Sequence, residues 1–284
     1  MNREIVIDGR PIGPGHPPYI IAELSANHNG SLEQALDTIS MAKDRGADAI
    51  KLKTYSADTM TIDCDRDDFQ IHGGAWDGYT LYELYKQTQT PPAWHEAMFA
   101  HARKIGVTIF STPFDESAVD LLENLNAPAY KIASFESIDL PLIRYVARTG
   151  KPMIISTGME DRGEIEETIA AAREGGCKDL ILLHCISCYP STIEQANLLT
   201  IPDMAKKFGL QVGLSDHSIS NIPSIASVAL GATVVEKHVT MDRTDEGPDP
   251  AFSLEPDELP ALCNDTTRAW PGLGNRGSGL EPSE

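Results

Sequence analysis

The sequence predicts an α/β protein: a closed (β/α)8 TIM barrel preceded by a short N-terminal hairpin. Short runs rich in Val, Ile and Leu alternate with longer amphipathic stretches, the pattern of parallel strands joined by helical crossovers. Eight such pairs can be counted along the chain. They occupy roughly 250 residues, the usual length of such a barrel. A doubly wound open sheet is the alternative reading of the same alternation.

The elements follow in order. Residues 5–7 and the Asp8-Gly9 turn read as a hairpin that plugs the barrel bottom. The run YIIAEL at 19–24 is the first barrel strand. The helix after it opens at Ser31, a good N-cap, and stops at Gly46. The second strand covers 49–54. A long excursion over 55–90 then carries Trp76, Tyr79, Tyr82 and Tyr85, and is expected to lie over the barrel top. Helix 91–106 leads to strand 107–111, helix 116–125 to strand 129–133, and helix 140–148 to strand 153–156. Helix 163–174 leads to strand 180–185, and a looser helix at 197–208 to strand 211–215. Helix 222–230, strand 233–238 and helix 256–269 complete the barrel. Residues 1–270 thus form one domain. Residues 271–284, rich in Gly, Pro and Ser, read as a linker.

Composition bounds the partners. The 284 residues carry 42 acidic and 23 basic side chains, a net charge of −19. That excludes general binding to nucleic acid or to an anionic membrane. A small anionic substrate stays open, because a few lysines and a metal make a local positive site. No run approaches the ~18 apolar residues of a membrane span. The N-terminus lacks the apolar core of a signal peptide, so a cytoplasmic setting is expected. Five cysteines include one CxxC, at Cys185 and Cys188, with no second pair to complete a zinc site.

In a barrel, chemistry sits at the C-terminal ends of the strands. Every strand end here carries polar groups. Strand one ends at Glu23 with Asn27 beyond, and strand two carries Lys51 and Lys53. Strand four carries Lys131, Ser134 and Glu136, and strand five ends in Ser156. Ser187 and Tyr189 follow strand six. Ser215, Asp216 and His217 end strand seven, and Glu236, Lys237 and His238 end strand eight. A single rim Lys, or a turn such as Asn27–Gly30, is ordinarily structural; eight converging ends are harder to explain by stability. His217 and His238 end adjacent strands and can share one metal, Mn²⁺ or Mg²⁺ fitting better than a closed zinc site. Lys51, Lys53 and Lys131 beside hydroxyl donors suit a phosphate. Lys131 could instead form a Schiff base, or the lysines could pair with Glu23, Glu136 and Glu236 in a buried ionic network.

The segments AELSANHNG (22–30), IKLKTY (50–55), STPFD (111–115), YKIAS (130–134) and ISTGM (155–159) resemble the sialic acid synthase family. HCISCYP (184–190), GLSDHS (213–218), EKHVT (236–240) and GPDPAFSLEP (247–256) continue the resemblance to about residue 270. WDGYTLYELY (76–85) and Phe135 before Glu136 are most similar to the branch that forms pseudaminate. The resemblance implies condensation of phosphoenolpyruvate with an open-chain amino sugar, with phosphate leaving by C–O cleavage. It implies a divalent metal, Mn²⁺ or Mg²⁺, on His217 and His238. It implies phosphoenolpyruvate on Lys51, Lys131, Ser134, Ser156, Ser187 and Ser215. The sugar is implied to meet Asn27, Lys53, Tyr189 and Asp249. Glu23, Glu136, Lys51 and Asp249 are implied around the reacting carbons, with Glu23 or Glu136 handling the water proton. Schiff-base chemistry at Lys131 then falls away.

The sequence departs from the family pattern at several points. Lys53 stands where Gln is usual, His184 and Cys188 stand where the pseudaminate branch has Lys and Ala, and Ser187 replaces an Asn of some relatives. The resemblance implies a small C-terminal antifreeze-like domain that pairs two subunits as a homodimer; residues 1–284 are expected to hold the barrel and linker without it. N-acetylneuraminate, legionaminate or a spore-coat sugar is the alternative product, and an inactive barrel used for assembly is the alternative class.

Overall fold

The computed structural model describes residues 4–73 and 76–274. β1 (Ile5–Ile7) and β2 (Arg10–Ile12) form an antiparallel hairpin. Its turn places Asp8 and Gly9 at φ 48° and 79°, the left-handed pair that a two-residue hairpin loop requires. Eight parallel strands follow: β3 (Tyr19–Glu23), β4 (Ala49–Thr54), β5 (Thr108–Pro113), β6 (Tyr130–Ile132), β7 (Met153–Ser156), β8 (Leu180–Cys185), β9 (Gln211–Asp216) and β10 (Val234–His238). They pair in sequence order, and β10 returns to β3 with His238 opposite Glu23. That pairing closes the barrel and removes the open-sheet alternative.

Helices cross between the strands: α1 (Leu32–Asp44), α4 (Pro92–Ile105), α5 (Glu116–Asn124), α6 (Leu140–Ala147), α7 (Arg162–Glu174), α8 (Thr200–Phe208) and α9 (Ile222–Ala229), with α10 (Leu259–Ala269) after the last strand. Ser31 caps α1 by accepting the Gln34 amide at 3.2 Å. The looser helix expected at 197–208 resolves into a 3-10 turn, Ile193–Ala196, and α8. Asn197, at φ 44°, breaks the two apart. The excursion after β4 holds two helices that hydrophobic periodicity alone did not single out, α2 (Ala57–Met60) and α3 (Leu81–Thr88). A capping box starts α3, with Thr80 on the Glu83 amide and Glu83 on the Thr80 amide. The linker expected at 271–284 falls for residues 275–284 outside the described residues; Pro271–Leu273 form a short 3-10 turn. No helix among the described residues is long and apolar enough to cross a membrane.

Two apolar layers result from the period-two alternation of strand side chains. Outward residues such as Ile20, Ile50, Ile132 and Val235 pack under the helices. Inward residues in the lower barrel, including Tyr19, Ile21, Phe110, Ile154, Leu183 and Val234, pack on Ile5, Ile7 and Ile12 of the hairpin. The hairpin is therefore the plug expected from the sequence. Gln211 Nε2 donates to the Ile12 carbonyl at 3.0 Å, and Thr108 Oγ1 to Asp8 at 3.0 Å. Ile7 is fully buried in this layer. Ile7→Ala is expected to cost about 2–5 kcal/mol in chemical denaturation; an unchanged midpoint would show that the plug is not part of the cooperative unit.

Candidate active site

The same inward faces that are apolar below become polar above. On β4 the inward positions run Ala49, Lys51, Lys53; on β7 they run Ile154, Ser156; on β10 they run Val234, Glu236, His238. At the C-terminal end they surround a cavity of about 600 Å³. Lys51, Lys53, Lys131, Ser134, Ser156, Ser187 and Ser215 line it, together with Tyr189, His217, His238, Glu136 and Asp249. Twelve separated positions are thus brought to one chamber.

Two of the sequence-predicted residues lie outside the lining. Glu23 is fully buried at the end of β3, with its carboxylate against Lys51 Nζ. The amide nitrogen of Asn27 donates to the Val239 carbonyl at 2.7 Å and to Ser253 Oγ at 2.9 Å, whereas its buried Oδ1 has no hydrogen-bond partner. Asn27 thus ties the loop after β3 to the segment after β10 rather than lining the chamber. His184 points outward, with Nε2 2.8 Å from the Ala196 carbonyl, and Cys188 is exposed. Neither departure from the family pattern lines the chamber.

One central group stood in the sequence only as a member of an ionic network. Glu236 Oε1 lies 3.1 Å from Lys51 Nζ and 3.9 Å from Lys131 Nζ, and accepts Ser215 Oγ at 3.0 Å. Burial would raise its carboxyl, but Lys131 and Lys51 overcome that and hold it down at about 2. Its place on β10, two residues before His238, is the signal that sets it on the inward face. Burial in turn draws Lys51 down to about 7, with Glu236 pulling back and Lys131 and Lys53 adding to the fall.

Glu136 has a different environment. It reaches the chamber from the loop after β6, and burial pushes its carboxyl up to about 7 against the pull of Lys131 and Lys53. Cys185 also lines the chamber. Burial raises its thiol, but the His217 ring, Ser134 and Lys131 draw it down to about 7.

Around Gly158 the hydroxyls converge. The Gly158 amide donates to Ser134 Oγ at 3.1 Å. A Cβ at Gly158 would come within 2.6 Å of Ser187 Oγ and 3.0 Å of Ser134 Oγ. Only glycine leaves that hollow open.

The two histidines stand edge to face, ring centroids 5.4 Å apart. His217 Nδ1 lies 3.0 Å from the Ile186 carbonyl. A carbonyl only accepts, so Nδ1 carries a proton and Nε2 is the ring nitrogen left to meet a ligand. Burial, with Lys53 and His217 adding to it, pushes His238 well below the usual imidazole range and keeps it neutral. Its buried Nδ1 has no hydrogen-bond partner, and Asp249 Oδ2 lies 3.8 Å away. Tyr189 packs on both rings, its centroid 4.2 Å from His217 and 6.3 Å from His238. A divalent cation takes imidazole nitrogens that carry no proton, which burial favours at His238. Among the described residues no group of three or more His, Cys, Asp or Glu is placed to hold a metal ion. A cation on His217 and His238 would need substrate or water oxygens to complete its shell.

The NeuB family profile matches residues 38–278. The chain is 42% identical over 266 residues to the pseudaminic acid synthase of Helicobacter pylori, covering 94% of this chain and 78% of that one. It is 45% identical over 257 residues to a pseudaminic acid synthase of Campylobacter jejuni, covering 90% and 75%. Among solved structures, the N-acetylneuraminic acid synthetase of Leptospira borgpetersenii superposes with a TM-score of 0.90 at 31% identity, covering 100% of this chain and 94% of that one. Family profile, relatives and superposition agree with the motif set, and the chain belongs to the NeuB family of synthases.

Proposed function

We propose that the chain is a pseudaminic acid synthase. It condenses phosphoenolpyruvate with 2,4-diacetamido-2,4,6-trideoxy-L-altrose, giving pseudaminate and phosphate. The observation that carries this reading is one chamber lined by lysines, serines and two adjacent histidines. The identity of 42–45% to pseudaminic acid synthases supports the choice of sugar. The reading takes residues 1–270 as the synthase domain and the cytoplasm as its setting.

The chain's own groups divide the work. Lys51 and Lys131 supply positive charge to the phosphate and carboxylate of phosphoenolpyruvate, and Ser134, Ser156, Ser187 and Ser215 donate hydrogen bonds to it. His217 and His238 would hold a divalent cation, Mn²⁺ or Mg²⁺, which supplies Lewis-acid polarisation of the sugar aldehyde. Lys53, Tyr189 and Asp249 orient the sugar so that its carbonyl carbon meets C3 of phosphoenolpyruvate. The enol double bond of phosphoenolpyruvate supplies the electron pair for a carbon–carbon bond there, and the aldehyde oxygen takes up a proton to become a hydroxyl, balancing the one that water gives up. Water adds at C2, the C2–O bond to phosphorus breaks and inorganic phosphate leaves.

Glu136 takes the proton from that water. Glu23 is the weaker candidate, because it is fully buried beside Lys51 and paired with it. A carboxyl near 7 is well matched to a general base at neutral pH.

Phosphate release from phosphoenolpyruvate with Mn²⁺ tests the whole reading. Release is expected with the trideoxy-altrose and not with N-acetylmannosamine, the legionaminate precursor or no sugar. Release with either other sugar would assign that specificity instead. No release, with no thermal shift on adding Mn²⁺ and phosphoenolpyruvate, would favour the inactive barrel.

The sign of the pH dependence follows from Glu136. It is protonated below about pH 7 and ionised above it, so base catalysis grows as pH rises through that value. Glu136→Gln is expected to lower kcat about 10²–10⁴-fold and to remove the acid limb of kcat/KM; a retained limb would assign the proton to another group. Gly158→Ala is expected to raise KM for phosphoenolpyruvate about tenfold, the loss of roughly one hydrogen bond to a charged group, with little change in KM for the sugar.

A further inference from the structure

The chamber is chemically two-sided. Its strand-tip side is lysines, serines and carboxylates, whereas the wall contributed by the excursion after β4 is apolar. We propose that this wall, formed by Trp76, Leu81, Leu84 and Tyr85 and joined by Phe114 from the loop after β5, is the subsite for the sugar's apolar substituents: its deoxy methyl and the methyls of its N-acyl groups. The proposal rests on the synthase reading above and names what selects the sugar within it.

Leu81, Leu84 and Tyr85 are spaced i, i+3, i+4 on α3 and so share one helical face. All three line the chamber and are half-buried, so their apolar surface is available to a ligand. The wall is braced by Tyr55, which also lines the chamber. Tyr55 meets the rings of Tyr85 and Phe114 edge-on, with centroids at 5.9 and 5.2 Å. Its hydroxyl is spent on Thr88 Oγ1 at 2.7 Å, so it adds no free polar group. The capping box at Thr80 fixes where α3 begins.

Trp76 adds the one polar feature. It lines the chamber, and its buried indole N–H has no hydrogen-bond partner. A lone donor set among apolar side chains matches an acylamino group, whose carbonyl accepts one bond while its methyl seeks apolar contact. A hydroxyl-rich substituent would lose its water here without replacement.

The test compares kcat/KM for the trideoxy sugar, its 6-hydroxy counterpart and an analogue lacking one acetyl group, in wild type, Leu84→Ser and Trp76→Phe. Wild type is expected to prefer the 6-deoxy sugar by about tenfold or more, the range one methyl commands in an apolar pocket. Leu84→Ser is expected to cut that preference about tenfold. Trp76→Phe is expected to raise KM for the di-N-acetyl sugar and not for the analogue. KM for phosphoenolpyruvate, bound at the opposite end, stays at its wild-type value and reports an intact fold. Unchanged preferences in both variants would overturn the proposal. Should wild type use another aldose, the pseudaminate reading falls, and the same variants are scored on that aldose. A shifted N-acyl preference would then uphold the wall, and an unshifted one would overturn it.

Discussion

Two lysines sit almost fully buried inside a barrel of an acidic protein, and the carboxylate of Glu236 is what makes that arrangement tenable. An unpaired ammonium in a low-dielectric interior costs several kcal/mol. Glu236 accepts Ser215 and stands between Lys51 and Lys131, while Glu23 closes on Lys51 from beside it. The two ammonium groups are thereby paired and aimed before any anion arrives. The network is also incomplete by design of its geometry, since Glu236 Oε2 is buried without a hydrogen-bond partner. A site that satisfied every charge internally would have nothing left for a substrate.

This arrangement follows from a simple rule of strands. Successive side chains alternate between faces, so each strand that opens with an inward apolar residue arrives at its tip with an inward polar one. Val234, Glu236 and His238 show the passage from plug to charge network to imidazole along five residues of one strand. The outward neighbour Lys237 serves another purpose. It pairs with Asp216 at 2.9 Å and donates to the Ser220 carbonyl at 3.2 Å. Barrel and helix are joined there, not substrate and enzyme.

That rule is also why so much was legible. Strand boundaries for β4, β7 and β8 coincide with their apolar runs, and the strand-tip residues fall where a barrel needs them. What sequence patterning could not carry was the division of labour among like groups. Glu23 and Glu136 read as equals because spacing does not report burial or partners. Asn27 read as a sugar ligand because its motif neighbours are in the site, whereas its amide nitrogen is held by Val239 and Ser253, more than two hundred residues away. The helix α3 was hidden in an aromatic stretch, although Thr80 and Glu83 already spelled its capping box.

The contrast between the two carboxyls shows how one chamber can hold opposite protonation states. Glu236 is surrounded by ammonium groups and stays ionised far below neutral pH. Glu136, on a loop beside exposed Phe135, loses water without gaining a close cation. Burial therefore dominates at Glu136 and Coulomb attraction dominates at Glu236. A permanently charged carboxylate suits holding lysines in place, and one poised near neutrality suits moving a proton. The same side-chain type takes both tasks because the barrel offers it a strand tip in one case and a loop in the other.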